Sequence, residues 1–138
     1  MDFTRRETLA LGGAAALTFV LPFRASAAAD DAIAEFTGGA ALADAGVELT
    51  APEIAENGNT VPIAVSAPGA TAVMVLAAGN PTPGVATFNF GPLAASQTAS
   101  TRMRLAGTQD VIAIAKLADG SFARSAKTVK VTIGGCGG

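Results

Sequence analysis

Hydrophobic and polar positions alternate through much of the chain, most clearly near its C-terminus. From Lys127 to Ile133, Lys127, Val129, Val131 and Ile133 fall on one face and Thr128, Lys130 and Thr132 on the other. That period of two predicts a half-buried strand. The same period turns Ala99, Thr101, Met103 and Leu105 inward and Ser100, Arg102 and Arg104 outward. Residues 85–90 form a strand with Phe88 and Phe90 on one face, and 109–117 form another, followed by an Asp119-Gly120 hairpin turn. Residues 121–133 make the last strand, with a break expected near Arg124-Ser125.

Upstream, 47–50 reads as a strand ended by Pro52, with 51–59 as a polar loop. Val61, Ile63 and Val65 alternate around Pro62. A proline cannot donate to a ladder, so this strand is predicted at an edge or a bulge. Residues 71–78 are continuously apolar through Val73, Met74, Val75 and Leu76, the pattern of a strand covered on both faces. Solvent exposure of that run would mark a partner interface. Asn80, Pro81 and Pro83 make 79–84 a loop. Helical character is confined to 30–39, with Asp30 or Asp31 as N-cap, Ile33 and Phe36 as apolar face and Gly38-Gly39 as stop. About seven short strands with Gly, Pro and Asn turns between them predict an all-β fold. The expected architecture is an antiparallel immunoglobulin-like β-sandwich with a short N-terminal helix. Without a Cys…Trp…Cys signature, an antibody-type domain is excluded.

The N-terminus carries a different message. Thr4-Arg5-Arg6-Glu7-Thr8-Leu9 resembles a twin-arginine export signal, and an apolar run to Phe23 and an Ala25-Ser26-Ala27 cleavage pattern follow. The run is about 15 residues and holds Gly12, Gly13 and Pro22, whereas a spanning helix needs about 20. Residues 1–29 are therefore expected to be a removed signal, and the periplasm of a bacterium the address. Residues 30–133 are the sandwich domain and 134–138 a C-terminal arm.

Composition narrows the chemistry. The chain has no His, Trp or Tyr and one Cys among 138 residues. It lacks the usual general base and the commonest metal ligand, so zinc, copper and haem sites are excluded on ligand count and no cofactor is expected. Residues 30–56 carry seven acids and no base, whereas from Arg102 onward bases dominate. Bases are too few, and aromatics too sparse among them, for a nucleic-acid surface. The Pro52–Asn59 loop has oxygen ligands without the spacing of a calcium loop.

That leaves the arm. Gly134, Gly135, Gly137 and Gly138 bracket Cys136. Glycine visits most of backbone space, so this segment reads as a flexible tether with a span of roughly 17 Å at full extension. Two readings stand: a thiol presented to a pocket on another protein, or a frayed terminus with an incidental cysteine. An internal disulfide is impossible, while a disulfide-linked dimer through Cys136 is open to an exported chain. An unperturbed thiol with a pKa of about 8.5 and no His to activate it suits a group acted upon more than one that catalyses. A one-cysteine peroxidase or thiol transferase is the enzymatic alternative, but no His, resolving Cys or βαβ pattern accompanies Cys136.

The terminal Val131-Thr-Ile-Gly-Gly-Cys-Gly-Gly138 is similar to the end of the SoxY family, the sulfur-carrying subunits of the bacterial thiosulfate-oxidising (Sox) system. The resemblance extends through Pro52–Asn59, Val61-Pro62, Asn80–Pro83, Arg102–Ala106 and Asp119–Phe122. It departs in a shorter 66–73 segment and in an alanine-rich, aromatic-poor composition. It implies a non-enzymatic carrier with Cys136 as the covalent attachment point for thiosulfate-derived sulfur, first as a cysteine S-thiosulfonate. It implies a heterodimer with SoxZ and visits to a haem enzyme (SoxAX), a hydrolase (SoxB) and a sulfur dehydrogenase (SoxCD).

Overall fold

The computed structural model describes residues 23–133, with side chains from residue 27 onward. Arg5, Arg6, Gly134, Gly135, Cys136, Gly137 and Gly138 lie outside the described residues. A helix, α1 (Phe23–Thr37), precedes nine strands: β1 (Leu42–Ala43), β2 (Glu48–Thr50), β3 (Ile54–Ala55), β4 (Val61–Ser66), β5 (Ala70–Ala77), β6 (Gly84–Asn89), β7 (Thr98–Met103), β8 (Gln109–Leu117) and β9 (Phe122–Val131). They form two sheets, β1-β9-β8-β5-β6 with β3 also on β9, and β2-β4-β7. The expected all-β sandwich is present. Its two shortest strands pair parallel to β9, and all the other pairs are antiparallel.

The core between the sheets joins Leu49, Val61, Ile63 and Val65 of the small sheet to Val73, Val75, Val111 and Val129 of the large one. A second cluster lies on the other face of the large sheet, where Met74, Leu76, Ile112, Ile114 and Phe122 meet Ala32, Ile33 and Phe36 of α1. Residues 73–76 are therefore buried on both faces, as their unbroken apolar pattern predicts, and offer no partner surface.

Helix α1 starts earlier than expected. Alanine favours the helix most among residue types, so the Ala-rich 25–29 stretch carries it upstream past Asp30 and Asp31, which are interior and not N-caps. The stop is as read: Gly38 and Gly39 take φ of 66° and 83°, a region that side chains disfavour. The Thr37 hydroxyl donates to the Ile33 carbonyl at 2.8 Å. Phe36 stands edge-on to Phe122, with ring centroids 5.9 Å apart at 72°. Phe36→Ala should cost about 2 kcal/mol, below the usual 3–5 because the ring is half-buried, with the loss read from urea unfolding.

Pro62 overturns its own expectation. β4 is the central strand of the small sheet, paired with β2 and β7. Ala67 N–H donates to the Gln97 carbonyl, so the odd-numbered amides of β4 face β7 and the even-numbered ones face β2. β2 ends at the Thr50–Ala64 pair, so the nitrogen of Pro62 looks past the end of the ladder. A proline is harmless in a central strand where one neighbour is short. Nor does β9 break at Arg124-Ser125, since it pairs with β8 throughout 122–129.

The β8–β9 turn is pinned by Asp119. Its Oδ1 accepts the Ser121 hydroxyl at 2.6 Å and the Ser121 N–H at 2.9 Å. These bonds favour the carboxylate and hold its pKa below the ordinary value of 3.8. A depressed folded pKa gives stability that is present above the unfolded pKa and lost as pH falls through the folded one. The Tm gap between wild type and Asp119→Asn should therefore be present at neutral pH and close as the solution is acidified below pH 3.8. Because the group is fully exposed, the gap should be small.

Candidate functional site

Most of the site's architecture lies in how β9 ends. After Pro52 closes β2, the loop turns alongside β9 and pairs with it in parallel, Ile54 with Lys130 and Ala55 with Val131. Lys130 N–H donates to the Glu53 carbonyl at 2.9 Å and Thr132 N–H to the Ala55 carbonyl at 3.1 Å. Gly58 N–H then donates to the Ile133 carbonyl at 2.8 Å, and the Thr132 hydroxyl to the Glu56 carbonyl at 3.1 Å. Val131 N–H points the other way, to the Thr108 hydroxyl at 3.0 Å. The backbone from 130 to 133 is thus held from both sides up to the last described residue before the glycines. Asn57 shapes the loop by accepting Asn59 N–H at 2.9 Å.

A buried polar hub backs this clamp. Asn80, 8% exposed, donates from Nδ2 to the Arg104 carbonyl at 2.8 Å. Its Oδ1 accepts Ala106 N–H at 2.9 Å and Gln109 Nε2 at 2.8 Å. Gln109 Oε1 accepts Gly79 N–H at 2.8 Å. A Cβ at Gly79 would lie 3.0 Å from Gln109 Cβ, so the missing side chain allows this approach. Between Arg104 and Ala106, Leu105 N–H donates to the Gly58 carbonyl at 2.7 Å. A continuous run of bonds therefore links Asn80, the 104–106 segment, Gly58 and Ile133.

Strand directions bring loops 56–60, 78–83 and 104–108 to the end of the sandwich where β9 finishes. Three of the segments that carry the sequence resemblance, 52–59, 80–83 and 102–106, meet there. Asp119–Phe122 sits at the opposite end. Glu53 and Glu56 lie in the loop beside the end of β9, so the acidic and basic stretches of the sequence are adjacent in space there. The Pro52–Asn59 loop is a brace for β9, with its carbonyls engaged by that strand. Among the described residues, no group of three or more Cys, Asp or Glu side chains can hold a metal ion.

Sequence reasoning passed over Asn80 and Gln109, reading one as loop and the other as strand. The only available signal was a polar residue at each loop boundary. A 580 Å³ depression on the outer face of the small sheet is lined by Thr50, Pro52, Pro62, Ala64, Ser100 and Arg102. It offers hydroxyls and one guanidinium.

The sequence matches the family model of the sulfur oxidation protein SoxY over residues 33–136, so Cys136 is the last position matched. The fold is similar to that of the sulfur carrier protein SoxY from Chlorobium limicola f thiosulfatophilum, at 34% identity and TM-score 0.69, over 78% of this chain and 94% of that one. It is also similar to superoxide reductase (neelaredoxin) from Ignicoccus hospitalis, at 18% identity and TM-score 0.55, over 63% of this chain and 80% of that one. At that identity the second likeness concerns the fold alone. No curated protein matches the chain. The first two findings support a carrier role in sulfur oxidation, and on them the chain belongs to the SoxY family.

Proposed function

We propose that this chain carries thiosulfate-derived sulfur covalently on Cys136 and hands it to successive enzymes without catalysing any step itself. The observation that supports this most is the family match, which runs through to Cys136. On this reading the thiol and thiosulfate join as a cysteine S-thiosulfonate. One S–S bond forms, one proton leaves, and two electrons pass to a haem oxidase of the SoxAX kind. Water then attacks the terminal sulfonate sulfur under a SoxB-type hydrolase, releasing sulfate and two protons and leaving a cysteine persulfide anion. A SoxCD-type dehydrogenase oxidises the remaining sulfane sulfur.

Residues 1–29 are the export signal, with Arg5 and Arg6 as its twin arginines, and the carrier works in the periplasm as a heterodimer with SoxZ. Removing residues 1–29 leaves Ala32, Ile33 and Phe36 on the large sheet and puts Asp30 and Asp31 in the first turn of the shortened helix, where the dipole favours them. Glycines 134, 135, 137 and 138 form the arm. A bare backbone beside the thiol enters a narrow channel without the desolvation that charged side chains would require.

The test is intact mass of the protein purified from cells oxidising thiosulfate, before and after reduction. Reducible gains equal to thiosulfonate or sulfane sulfur are expected. A free thiol alone, or only a disulfide-linked dimer, would overturn the proposal.

A further inference from the structure

Asn57-Gly58 is the only Asn-Gly pair in the chain, and it sits in the loop that braces β9. Asparagine is among the thermally labile side chains. In an Asn-Gly pair the glycine nitrogen, unshielded by any Cβ on its own residue, can attack the asparagine side-chain carbonyl. Ammonia leaves and a five-membered imide forms, which water then opens at either carbonyl. The products are an aspartyl residue or an isoaspartyl linkage, in which the main chain runs through the side-chain carbon. No electrons are transferred: water enters, ammonia leaves and a carboxylate is gained.

The fold holds the groups that this reaction must move. Gly58 N–H, which has to lose its proton, donates to the Ile133 carbonyl at 2.8 Å, and the Gly58 carbonyl accepts Leu105 N–H at 2.7 Å. Asn57 Oδ1 accepts Asn59 N–H at 2.9 Å, and the Asn57 carbonyl accepts Thr60 N–H at 3.4 Å. Gly58 is buried, whereas Asn57 is exposed to water. We propose that Asn57 is a deamidation site whose rate is set by the clamp on β9. The reaction proceeds from the fraction of molecules in which Gly58 has released Ile133. Fraying of a strand end costs less than global unfolding, so that fraction exists in the native protein. The product then works against reclosure. An isoaspartyl linkage adds one carbon to the main chain beside a glycine pinned on both sides. Either product also adds a negative charge to a loop that already exposes Glu53 and Glu56. The clamp thus protects its own loop, and the protection is lost for good once water has opened the ring.

The test incubates full-length protein in mildly alkaline buffer and follows residue 57 by peptide mapping for the amide-to-acid mass change and for isoaspartyl content. Unfolded in urea, the chain should convert faster at Asn57 than at Asn59, Asn80 or Asn89. Folding should slow conversion at Asn57 by about tenfold or more. Ending the chain at Val131 removes the Ile133 carbonyl and should return most of that rate. Thr132→Val, which loses only the hydroxyl bonds to the Ala55 and Glu56 carbonyls, should raise it about threefold. Asp119-Gly120 can close through the same kind of imide and lies at the opposite end, so it is the internal control and should respond to neither change. A rise there would mean that the truncated chain has unfolded, and Thr132→Val would then decide the matter alone. In the converted fraction, separated by its added charge, the Lys130 and Thr132 amides should exchange hydrogen about tenfold faster than in unconverted protein. Equal rates at Asn57 in the folded and unfolded chain, no conversion in urea, an unchanged rate in Thr132→Val, or unchanged exchange in the converted fraction would each overturn the inference.

Discussion

Replacing Cys136 with serine is expected to reduce thiosulfate-dependent sulfate production to background while leaving the sandwich as stable as before. A serine oxygen cannot form the sulfur–sulfur bond on which the proposed carriage depends. It also lacks the few per cent of anion that a thiol of pKa about 8.5 supplies at neutral pH. The clamp and core contacts described above are made by residues 29–133, so Tm should stay within about 1 °C of wild type. The check is sulfate release by a deletion strain carrying the variant, alongside a thermal melt of the purified protein. Retention of more than a small fraction of the flux would mean that sulfur travels by a route that does not need this thiol.

Asn80→Ala should produce the largest stability change of the variants considered. The substitution takes the side-chain partner from the part-buried Arg104 carbonyl and Ala106 N–H and removes one of the two acceptors of the buried Gln109 Nε2, which keeps the Gly107 carbonyl. Each stranded buried group costs about 1–3 kcal/mol, and water entering the vacated space recovers part of it. The net loss should be about 3 kcal/mol, or on the order of 12 °C in Tm for a domain of this size. Chemical denaturation measures it directly. A loss below about 1 kcal/mol would mean that the loops rearrange to satisfy one another and that the hub is dispensable. The effect should exceed that of Phe36→Ala because a half-buried ring leaves no unpaired polar group behind.

The sequence was most readable where burial alone decides the pattern. β5, β7 and β8 show in the alternation or continuity of their side chains because each has a definite inner face. Ile33 and Phe36 revealed the apolar stripe of α1 for the same reason. β1 and β3, at two residues each, are too short to carry a period, and their pairing with β9 depends on chain reversals that no local pattern encodes. Pro62 misled because edge placement follows from the lengths of neighbouring strands, which the proline does not report. The upstream extension of α1 was hidden because a run read as a cleavage pattern is also a run of strong helix formers. At the site, the motif around Cys136 was fully visible as sequence. Its support was not, since Asn80 reaches Arg104 and Gln109 through side-chain geometry between loops far apart in the chain.

The pairing of β9 also has a consequence for biogenesis. Lys130 N–H faces β3 and Val131 N–H faces the β8 side, so β9 is flanked along one side by β8 and on the other by β1 and β3. Its partners at residues 42–43 and 54–55 leave the ribosome long before it does. Contacts so distant in sequence are slow to form, because a large loop must close before they stabilise anything. The large sheet therefore stays incomplete until β9 itself has been synthesised. A nascent fragment that stops before β9 leaves the 52–59 loop without the strand it clamps, so the body that holds the arm cannot be assembled from a half-made chain.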